Sequence, residues 1–284
     1  MKKSIITLLM LFSWSAVIVF AAFPVSVEGN ARPGGTLFIR VESGGNIARG
    51  TATFLNMTLP LLVQDGNGQV IMPVPLDTPP GKYILKIEVE KTAGNTIYRR
   101  TIPVRSHKFG IQRLYLPPSE EDKYEAPGVE QERMAIDRAL KTVSNKYTWW
   151  STFLWPVDGR ISTEFGIKRY INGEDAGRHC GIDLAAPAGT PVRATNCGTV
   201  ILARSDFTLH GKTVIIDHGL GITSLYIHLS RILVRPGDFV KRGQIIGRVG
   251  STGVATGPHL HWAVYIGREA VDPRMFMYLP KSWK

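Results

Sequence analysis

Two short histidine motifs in the second half of the chain carry side chains that could bind a metal ion. In the segment HCGID, His179 and Asp183 are four positions apart, and in HLH, His259 and His261 are two positions apart. Alternate side chains of a strand share a face, so each motif predicts converging donors without a helix. Two imidazole nitrogens and one carboxylate oxygen suit zinc, and three protein ligands leave a fourth position open, as in catalytic zinc sites. A further histidine, His228 in the segment YIHL, lies between the two motifs.

The elements around these motifs are short and rich in β-forming residues. Apolar, often β-branched runs at 199–202, 213–216, 224–227 and 245–249 alternate with glycine turns. This texture predicts a compact antiparallel β domain over residues 151–284. The histidine motifs would then lie inside or beside strands, which are a rigid support for ligand side chains.

An earlier part of the chain, residues 23–105, predicts a second β module. Its β-rich runs at 37–41, 70–74 and 83–89 are separated by turn signals rich in proline and glycine. Evenly spaced short strands favour a small immunoglobulin-like sandwich. The sequence of this stretch shows no cluster of metal ligands and no nucleophile pair, so we expect a spacer or positioning domain.

Residues 106–150 connect the two β regions. A polar, proline-bearing linker covers about residues 106–127 and includes the charged run SEEDK. Apolar residues at helical intervals then predict a helix over residues 129–147. The chain is therefore predicted to be mainly β, with an N-terminal immunoglobulin-like sandwich, one connecting helix and a C-terminal antiparallel β-sheet domain.

The first 22 residues have the composition of a secretory signal peptide. Two lysines form a positive start, residues 5–20 are apolar apart from Ser and Thr, and Ala21 and Ala22 offer cleavage positions. The alternative is an uncleaved membrane anchor, since the apolar stretch approaches the roughly 20 residues that span a membrane. In either case we expect export to the periplasm, the cell envelope or the medium. Export excludes cytosolic nucleic acid as the main partner.

The chain is strongly basic. It carries 34 Lys and Arg residues against 23 Asp and Glu, a formal net charge of +11. Such a charge favours anionic partners. For an exported chain, an acidic wall polymer or an anionic membrane face fits this charge.

Two cysteines, Cys180 and Cys197, occur in the sequence. In an exported protein they could form a disulfide, and the other possibility is a pair of buried thiols. A thiolate ligand is disfavoured because, on a strand, Cys180 would point away from the face that holds His179 and Asp183.

From residue 165 to residue 273 the sequence resembles the zinc metallopeptidases of the lysostaphin type, also called the M23 or LytM family. The matching stretches are HCGIDLAAPAGTPVRA, VIIDHGLGITSLYIHLS and VRPGDFVKRGQIIGRVGSTGVATGPHLHW. The resemblance implies a β-sheet groove and one zinc ion per chain, with His179, Asp183 and His261 as ligands. It further implies that His228 and His259 are catalytic histidines that do not bind the metal, and that the substrate is the peptide part of bacterial peptidoglycan. Residues 23–147 lie outside this resemblance.

Together these observations predict an exported zinc-dependent endopeptidase that hydrolyses peptide bonds in the stem or cross-link peptides of peptidoglycan. The alternative is a non-catalytic LytM-type module that binds the wall or activates other wall hydrolases. The presence of all three implied ligands and both implied catalytic histidines favours the enzyme. We expect a monomer with no membrane span after signal removal. The bond that is cut, and the division of roles between His228 and His259, stay open.

Four other aromatic side chains are assigned to different roles. His218, between Asp217 and Gly219, is predicted to lie in a turn with a structural role. His107 and His210 are predicted to be solvated loop residues. Tyr226 is predicted either to line the groove or to pack in the core.

Overall fold

The structure is a computed structural model that describes residues 24–42, 44, 47–91, 94–144, 149, 151–280 and 283. Strands predominate, which confirms the prediction of a mainly β chain. The predicted signal segment, residues 1–22, lies outside the described residues. In the part of the chain that the structure describes, no helix is both long and apolar enough to cross a membrane.

Eight strands form the N-terminal module: β1 (Val25–Gly29), β2 (Thr36–Val41), β3 (Ile47–Phe54), β4 (Met57–Pro60), β5 (Leu62–Gln64), β6 (Asn67–Pro73), β7 (Gly81–Lys91) and β8 (Gly94–Val104). They form two four-stranded sheets, with the strand orders β1-β2-β6-β5 and β4-β3-β7-β8. Alternate residues of β7, namely Leu85, Ile87 and Val89, are buried in one core with apolar residues of β2 and β6. The strand order is that of the ABED and CFG sheets with β4 as an extra edge strand, which is consistent with the immunoglobulin-like prediction.

The connecting segment contains β9 (Ile111–Leu114), the short helix α1 (Pro118–Glu121), a 3₁₀ turn (Asp122–Tyr124) and the helix α2 (Val129–Leu140). The prediction that the helix continues to residue 147 is wrong, because α2 ends at Leu140. The β-branched residues Thr142 and Val143 follow, and such residues are poor helix formers. The carbonyl of Ser144 then accepts the backbone N–H of Leu220 at 3.0 Å, so this carbonyl serves a tertiary contact.

Twelve strands and a 3₁₀ turn (Pro273–Phe276) form the C-terminal domain: β10 (Arg160–Thr163), β11 (Lys168–Ile171), β12 (Glu174–Arg178), β13 (Ile182–Ala185), β14 (Pro191–Arg193), β15 (Gly198–Arg204), β16 (Lys212–Gly219), β17 (Ile222–Ile232), β18 (Phe239–Val240), β19 (Ile245–Val249), β20 (His259–Ile266) and β21 (Glu269–Val271). Ten of them form one sheet with the main path β10-β13-β20-β17-β16-β15-β18. All pairs along this path are antiparallel, as predicted. Strands β20 and β17, at the middle of the path, are mostly buried.

The stretch predicted as a polar linker also supplies a strand to the C-terminal domain. β9 pairs in parallel with β11, which pairs with β12 in a separate three-stranded sheet. The β-forming residues Ile111, Leu114 and Tyr115 are the local signal for this strand, whereas its pairing with β11, more than 50 residues further along the chain, has none. The connecting segment is therefore partly built into the C-terminal domain.

The N-terminal module packs directly against the C-terminal domain. Phe38 of β2 belongs to the C-terminal core cluster, and its ring lies edge-on to the rings of Phe276 and Trp283, with centroids 6.1 and 5.5 Å away. Beside this contact, Nη2 of Arg32 lies 2.8 Å from Oδ2 of the buried Asp272. Apolar packing and a largely buried ion pair thus fix the two parts together.

Both cysteines are free thiols that are partly exposed, so the structure shows neither the disulfide nor two fully buried thiols. Sγ of Cys180 lies 3.4 Å from the carbonyl oxygen of Arg178, to which it donates. Sγ of Cys197 accepts the backbone N–H of Arg242 at 3.3 Å.

Candidate metal centre

Strands β13, β20 and β17, which are neighbours in the C-terminal sheet, position most of the candidate site. On β13 and β20, Asp183 lies directly opposite His261, and Ala185 lies opposite His259. Residues that face each other across two strands share a face, and so do residues two apart on one strand. His259, His261 and Asp183 therefore project from the same side of the sheet, as strand alternation predicts for the HLH motif.

His179 reaches the same point from outside the strands. It lies between β12 and β13, so the prediction that one strand carries both His179 and Asp183 is wrong. Its backbone N–H donates to the carbonyl of Ile167 at 2.9 Å, and its carbonyl accepts the N–H of Gly166 at 2.8 Å. His179 has no strand ladder, and these two hydrogen bonds to the segment after β10 fix its position instead.

Gly181 allows the chain to pass close to the ring of His261. A Cβ on Gly181 would lie 2.6 Å from the carbonyl oxygen of Trp262 and 2.7 Å from Nε2 of His261. A larger residue would collide with both. The glycine in the HCGID motif is therefore required by close packing against the site.

Three donor atoms converge at this point. Nε2 of His179 lies 2.9 Å from Oδ1 of Asp183 and 2.9 Å from Nδ1 of His261, and the remaining separation, between Nδ1 of His261 and Oδ1 of Asp183, is 2.8 Å. His179 and Asp183 are buried, and His261 is partly exposed. Among the described residues, this is the group of His, Cys, Asp and Glu side chains that could hold a metal ion.

The hydrogen bonding of His179 and the pKa shifts of Asp183 and His261 suit metal binding. Nδ1 of His179 lies 2.9 Å from the carbonyl oxygen of Glu164 and donates to it, which leaves the Nε2 lone pair for the site. Burial on its own would raise the pKa of Asp183, but the rings of His179 and His261 beside its carboxylate hold that pKa well below its usual range. Burial lowers the pKa of His261 to about 4. An ionised carboxylate and neutral imidazoles are the forms that bind metal ions.

His228 and His259 stand beside this triangle. Their ring centroids are 4.8 Å apart, and Nε2 of His259 lies 3.9 Å from Oδ1 of Asp183. Nδ1 of His228 donates to the carbonyl of Thr252, and Nδ1 of His259 donates to the carbonyl of Gly257, both at 2.8 Å. Each ring therefore keeps Nε2 as its acceptor nitrogen. Burial, followed by the neighbouring imidazoles, lowers the pKa of His228 to about 3.

The backbone at His228 adopts the left-handed conformation, with φ = +62°. Between the pairs Val214–Tyr226 and Lys212–Leu229, β17 contains one residue more than β16, which is a β-bulge that includes His228. A bulge redirects a side chain and interrupts strand alternation. A positive φ at a residue with a Cβ is costly and persists where the surrounding structure enforces it. The backbone N–H of His228 donates to the carbonyl of His210 at 3.1 Å, which is one such contact.

Strand β9 of the connecting segment forms one wall of the site. Gln112 on β9 lies opposite Arg169 on β11, and Oε1 of Gln112 accepts from Nε of Arg169 at 2.9 Å. Nη2 of Arg169 lies 3.5 Å from Oδ2 of Asp183. The two carboxylate oxygens thus have different partners, since Oδ1 faces the two imidazoles. Gln112 and Tyr124 both line the cavity around the donor atoms.

Comparisons with known proteins give the family of this chain. A model of peptidase family M23 matches residues 177–273. The crystal structure of an M23-type peptidase from Pseudomonas aeruginosa is 32% identical in sequence and superposes with a TM-score of 0.64, covering 87% of this chain and 94% of that chain. The chain belongs to peptidase family M23. The resemblance predicted from the sequence is confirmed.

Two curated relatives of this M23 protein carry names that state an activity. The DD-carboxypeptidase/endopeptidase Mpg of Neisseria meningitidis is 44% identical over 114 residues, which are 40% of this chain and 26% of the relative. The peptidoglycan DD-endopeptidase ShyA of Vibrio cholerae is 42% identical over 121 residues, which are 42% of this chain and 28% of the relative. The matches thus span about a quarter of the length of these relatives.

Several groups that complete the M23 site were missed by sequence reasoning. The carbonyls of Glu164, Thr252 and Gly257 orient three imidazoles, and a backbone acceptor has no residue signature in a sequence. Gln112 and Arg169 belong to strands that are distant in sequence, so no local pattern connects them. Of the groups that were missed, Gly181 could have been found from the sequence, because a glycine inside a ligand motif indicates close approach of the backbone.

The remaining residues predicted from the sequence have mixed outcomes. His218 lies within β16 rather than in a turn, and it is buried between the carbonyl of Cys197 and the hydroxyl of Ser224, each 2.7 Å from a ring nitrogen. This is consistent with the predicted structural role. Tyr226 is buried, and its hydroxyl accepts the backbone N–H of Thr195 at 2.9 Å, so it packs in the core and does not line the groove.

His107 and His210 differ from each other. His107 is exposed, as predicted. His210 lies in a loop, as predicted, but the prediction that it is solvated is wrong, because its ring Nδ1 and its backbone N–H both bind the buried carboxylate of Glu132. The sequence did not indicate this pair, since 78 residues separate the two partners.

Proposed function

We propose that this M23 protein is an exported zinc-dependent endopeptidase that hydrolyses peptide bonds in the stem or cross-link peptides of bacterial peptidoglycan. The observation that carries the proposal is the convergence of donor atoms from His179, Asp183 and His261 beside two further imidazoles. The name of the Vibrio cholerae relative, a peptidoglycan DD-endopeptidase, supports the substrate class. Export rests on the signal-like composition of residues 1–22.

The donor set fits one zinc ion. With zinc–ligand bonds of 2.0–2.1 Å, two ligand atoms at a tetrahedral ion are roughly 3.3 Å apart. The three donor atoms are 2.8–2.9 Å apart, so small side-chain adjustments suffice. His179 Nε2, Asp183 Oδ1 and His261 Nδ1 would hold the ion. Arg169 beside Oδ2 of Asp183 would keep that carboxylate oriented, in the manner of outer partners of metal ligands.

The chemistry follows from the two other imidazoles. Zinc bound by the three ligands would lower the pKa of a water molecule from 15.7 to about 7 and polarise the scissile carbonyl. His228 and His259 each present Nε2 as an acceptor, because Nδ1–H is committed to a backbone carbonyl. One of them would take the proton of the attacking water at Nε2 and pass it to the leaving amine. The other would hydrogen-bond the oxyanion of the tetrahedral intermediate after its Nε2 has taken up a proton from solvent.

We propose a division of the chain into a signal segment (1–22), an N-terminal module (23–105), a connecting segment (106–150) and a peptidase domain (151–284). The protein would act as a monomer. The parallel pairing of β9 with β11 supports a connecting segment that completes the peptidase domain. The net charge of +11 supports retention on anionic cell walls.

The alternative is a non-catalytic module that binds the wall or activates other hydrolases. Such a module does not need two imidazoles with fixed tautomers beside a complete set of three donors. The presence of both imidazoles, each with Nδ1 on a carbonyl, therefore favours the enzyme.

The test is digestion of purified peptidoglycan with the purified chain, followed by mass spectrometry of the released fragments. We expect new amino termini at one type of peptide bond, loss of hydrolysis with a chelator and recovery with zinc. His261→Ala should abolish hydrolysis, whereas His107→Ala, which changes an exposed histidine outside the site, should leave it unchanged. Full hydrolysis by the His261→Ala variant would refute the ligand set. A folded, zinc-loaded chain that binds walls without cutting them would establish the alternative.

A further inference from the structure

We propose that Glu132, on helix α2 of the connecting segment, is a positioning residue for His228. The proposal rests on the proposed function, in which His228 handles a proton at Nε2. Glu132 is not among the residues that line the cavity around the donor atoms. It acts through the loop of residues 205–211, between β15 and β16.

The buried carboxylate of Glu132 holds this loop by several hydrogen bonds. Oε2 accepts the backbone N–H groups of Thr208 at 2.8 Å and of Leu209 at 3.2 Å. Oε1 accepts the backbone N–H of His210 at 2.7 Å and also binds Nδ1 of the His210 ring. Burial on its own would raise the pKa of Glu132, but these hydrogen bonds lower it, so the carboxylate is ionised. Hydrogen bonds to an ionised acceptor are roughly twice as strong as neutral ones.

One connection runs from this loop to the backbone of His228. The carbonyl of His210 accepts the N–H of His228 at 3.1 Å. His228 lies in the bulge of β17 with φ = +62°, a conformation that needs such contacts to persist. Glu132 binds both the backbone N–H and the ring of His210, so it restrains the residue whose carbonyl accepts this bond.

A second connection runs to the ring of His228. The carbonyl of Leu209 accepts the N–H of Val254 at 2.9 Å, and this bond holds the segment of residues 250–258. In that segment, the carbonyl of Thr252 accepts Nδ1–H of the His228 ring at 2.8 Å. The loop bound by Glu132 therefore supports both the backbone and the imidazole orientation of His228.

A purely stabilising role for Glu132 predicts something different. Helix α2 already buries Ile136, Ala139 and Leu140 against apolar residues of the sheet, and these contacts anchor the helix without any charge. A carboxylate is costly to bury unless it is hydrogen-bonded, and here all its described partners lie in one loop. If it merely added stability, its loss would not act specifically on His228.

The first test compares Glu132→Ala and Glu132→Gln with the control Ile136→Ala in zinc-loaded protein. Ile136 lies one turn further along α2 and packs in the same helix–sheet core. Glu132→Ala should lower kcat for peptidoglycan cleavage by about 10- to 100-fold, the scale for a small misplacement of a reacting group, with KM and zinc content near wild type. Glu132→Gln, which keeps an acceptor oxygen and the volume, should lose less. Ile136→Ala should lower the melting temperature and keep kcat within about 2-fold.

The second test is a double-mutant cycle with His228→Ala. If Glu132 acts through His228, Glu132→Ala should cost less than about 2-fold in the His228→Ala background. An equal loss in both backgrounds would overturn the proposal, and so would wild-type kcat in folded Glu132→Ala and Glu132→Gln variants.

A readout that does not depend on hydrolysis separates this proposal from the proposed function. In ¹⁵N-labelled protein, the Nδ1–H resonance of His228 reports its bond to Thr252. Both Glu132 variants should shift it and speed its exchange with water, whereas Nδ1–H of the buried His218 should stay unchanged as an internal reference. An unchanged His228 resonance would overturn the positioning role, even if the chain cut no peptide bond.

Discussion

Replacing Gly181 with alanine should weaken metal binding without unfolding the domain. The new Cβ would lie 2.6 Å from the carbonyl oxygen of Trp262 and 2.7 Å from Nε2 of His261. Trp262 is buried on β20, which is paired with strands on both sides, so its carbonyl has little freedom to move. The backbone at position 181 must therefore move away from this carbonyl, and the ring of His261 must also be displaced, since an ordinary contact of about 3.4 Å requires a shift of roughly 0.7 Å.

Such a shift is large for a metal ligand. Ligand distances in metal sites hold to within about 0.2 Å, so a displacement of roughly 0.7 Å removes Nδ1 of His261 from bonding distance unless the whole site distorts. Changes next to metal ligands typically cost 10- to 100-fold in affinity. We expect a loss in this range, which corresponds to about 1.4–2.7 kcal/mol of binding free energy.

The assay is a zinc titration in competition with a chromophoric chelator, with folding checked by circular dichroism. The matched control is Gly257→Ala, because a Cβ on Gly257 meets nothing within 4 Å although the residue lies beside the site. Zinc affinity of Gly181→Ala equal to wild type would refute the reasoning. Equal weakening by Gly257→Ala would show that any added methyl group near the site has this effect.

Two further predictions concern stability. Phe38→Ala should cost about 3–5 kcal/mol, because the ring packs against Phe276 in the C-terminal core. Both β modules should then melt together at a lower temperature, and an N-terminal transition that shifts alone would contradict the shared core. Stability should also fall as the pH drops from about 6.5 to 4. Burial lowers the pKa of His218 in the folded chain to about 4. In the unfolded chain this histidine binds a proton below about pH 6.5, so between pH 6.5 and pH 4 protonation favours the unfolded chain. This residue accounts for a loss of up to about 3 kcal/mol in the free energy of unfolding. Urea unfolding at pH 7 and pH 4.5 should show a shallower pH dependence of this free energy for His218→Gln than for wild type. An unchanged dependence would disprove this assignment.

Local sequence patterns predicted the part of the site that lies on regular strands. The two-residue spacing of His259 and His261 places both side chains on one face of β20, as alternation requires. The turn-rich, β-branched texture predicted the antiparallel domain around them, which the strand pairing confirms. These features depend on neighbours in sequence, so they can be inferred without the fold.

Other site features depend on contacts between distant segments. His179 and Asp183 are four residues apart, yet they do not share a strand, because the chain passes beside His261 at Gly181. His228 faces its neighbours through a bulge in the pairing of β17 with β16. Such interruptions of regular structure arise from packing between segments, and strand alternation alone predicts the wrong path.

The connecting segment shows the same limit. The stretch of residues 106–127 is predicted to be a polar, proline-bearing linker, yet the β-forming residues around Gln112 form β9, because β11 offers them backbone partners. The role of the Glu132 carboxylate depends on the tertiary contact between α2 and the loop that contains His210. Neither contact leaves a periodic pattern in the sequence.

The sequence by itself determined the chemical types of the site: two imidazoles and a carboxylate as candidate ligands, two further imidazoles, and a β-rich frame to carry them. The tertiary structure decided the separations of 2.8–2.9 Å between the three donor atoms, the carbonyls that fix each ring, and the attachment of the connecting segment. The physical reason is the separation along the sequence over which each effect acts. Residue type and strand alternation act between near neighbours, whereas donor convergence and backbone hydrogen bonding to the rings depend on which distant strands lie side by side.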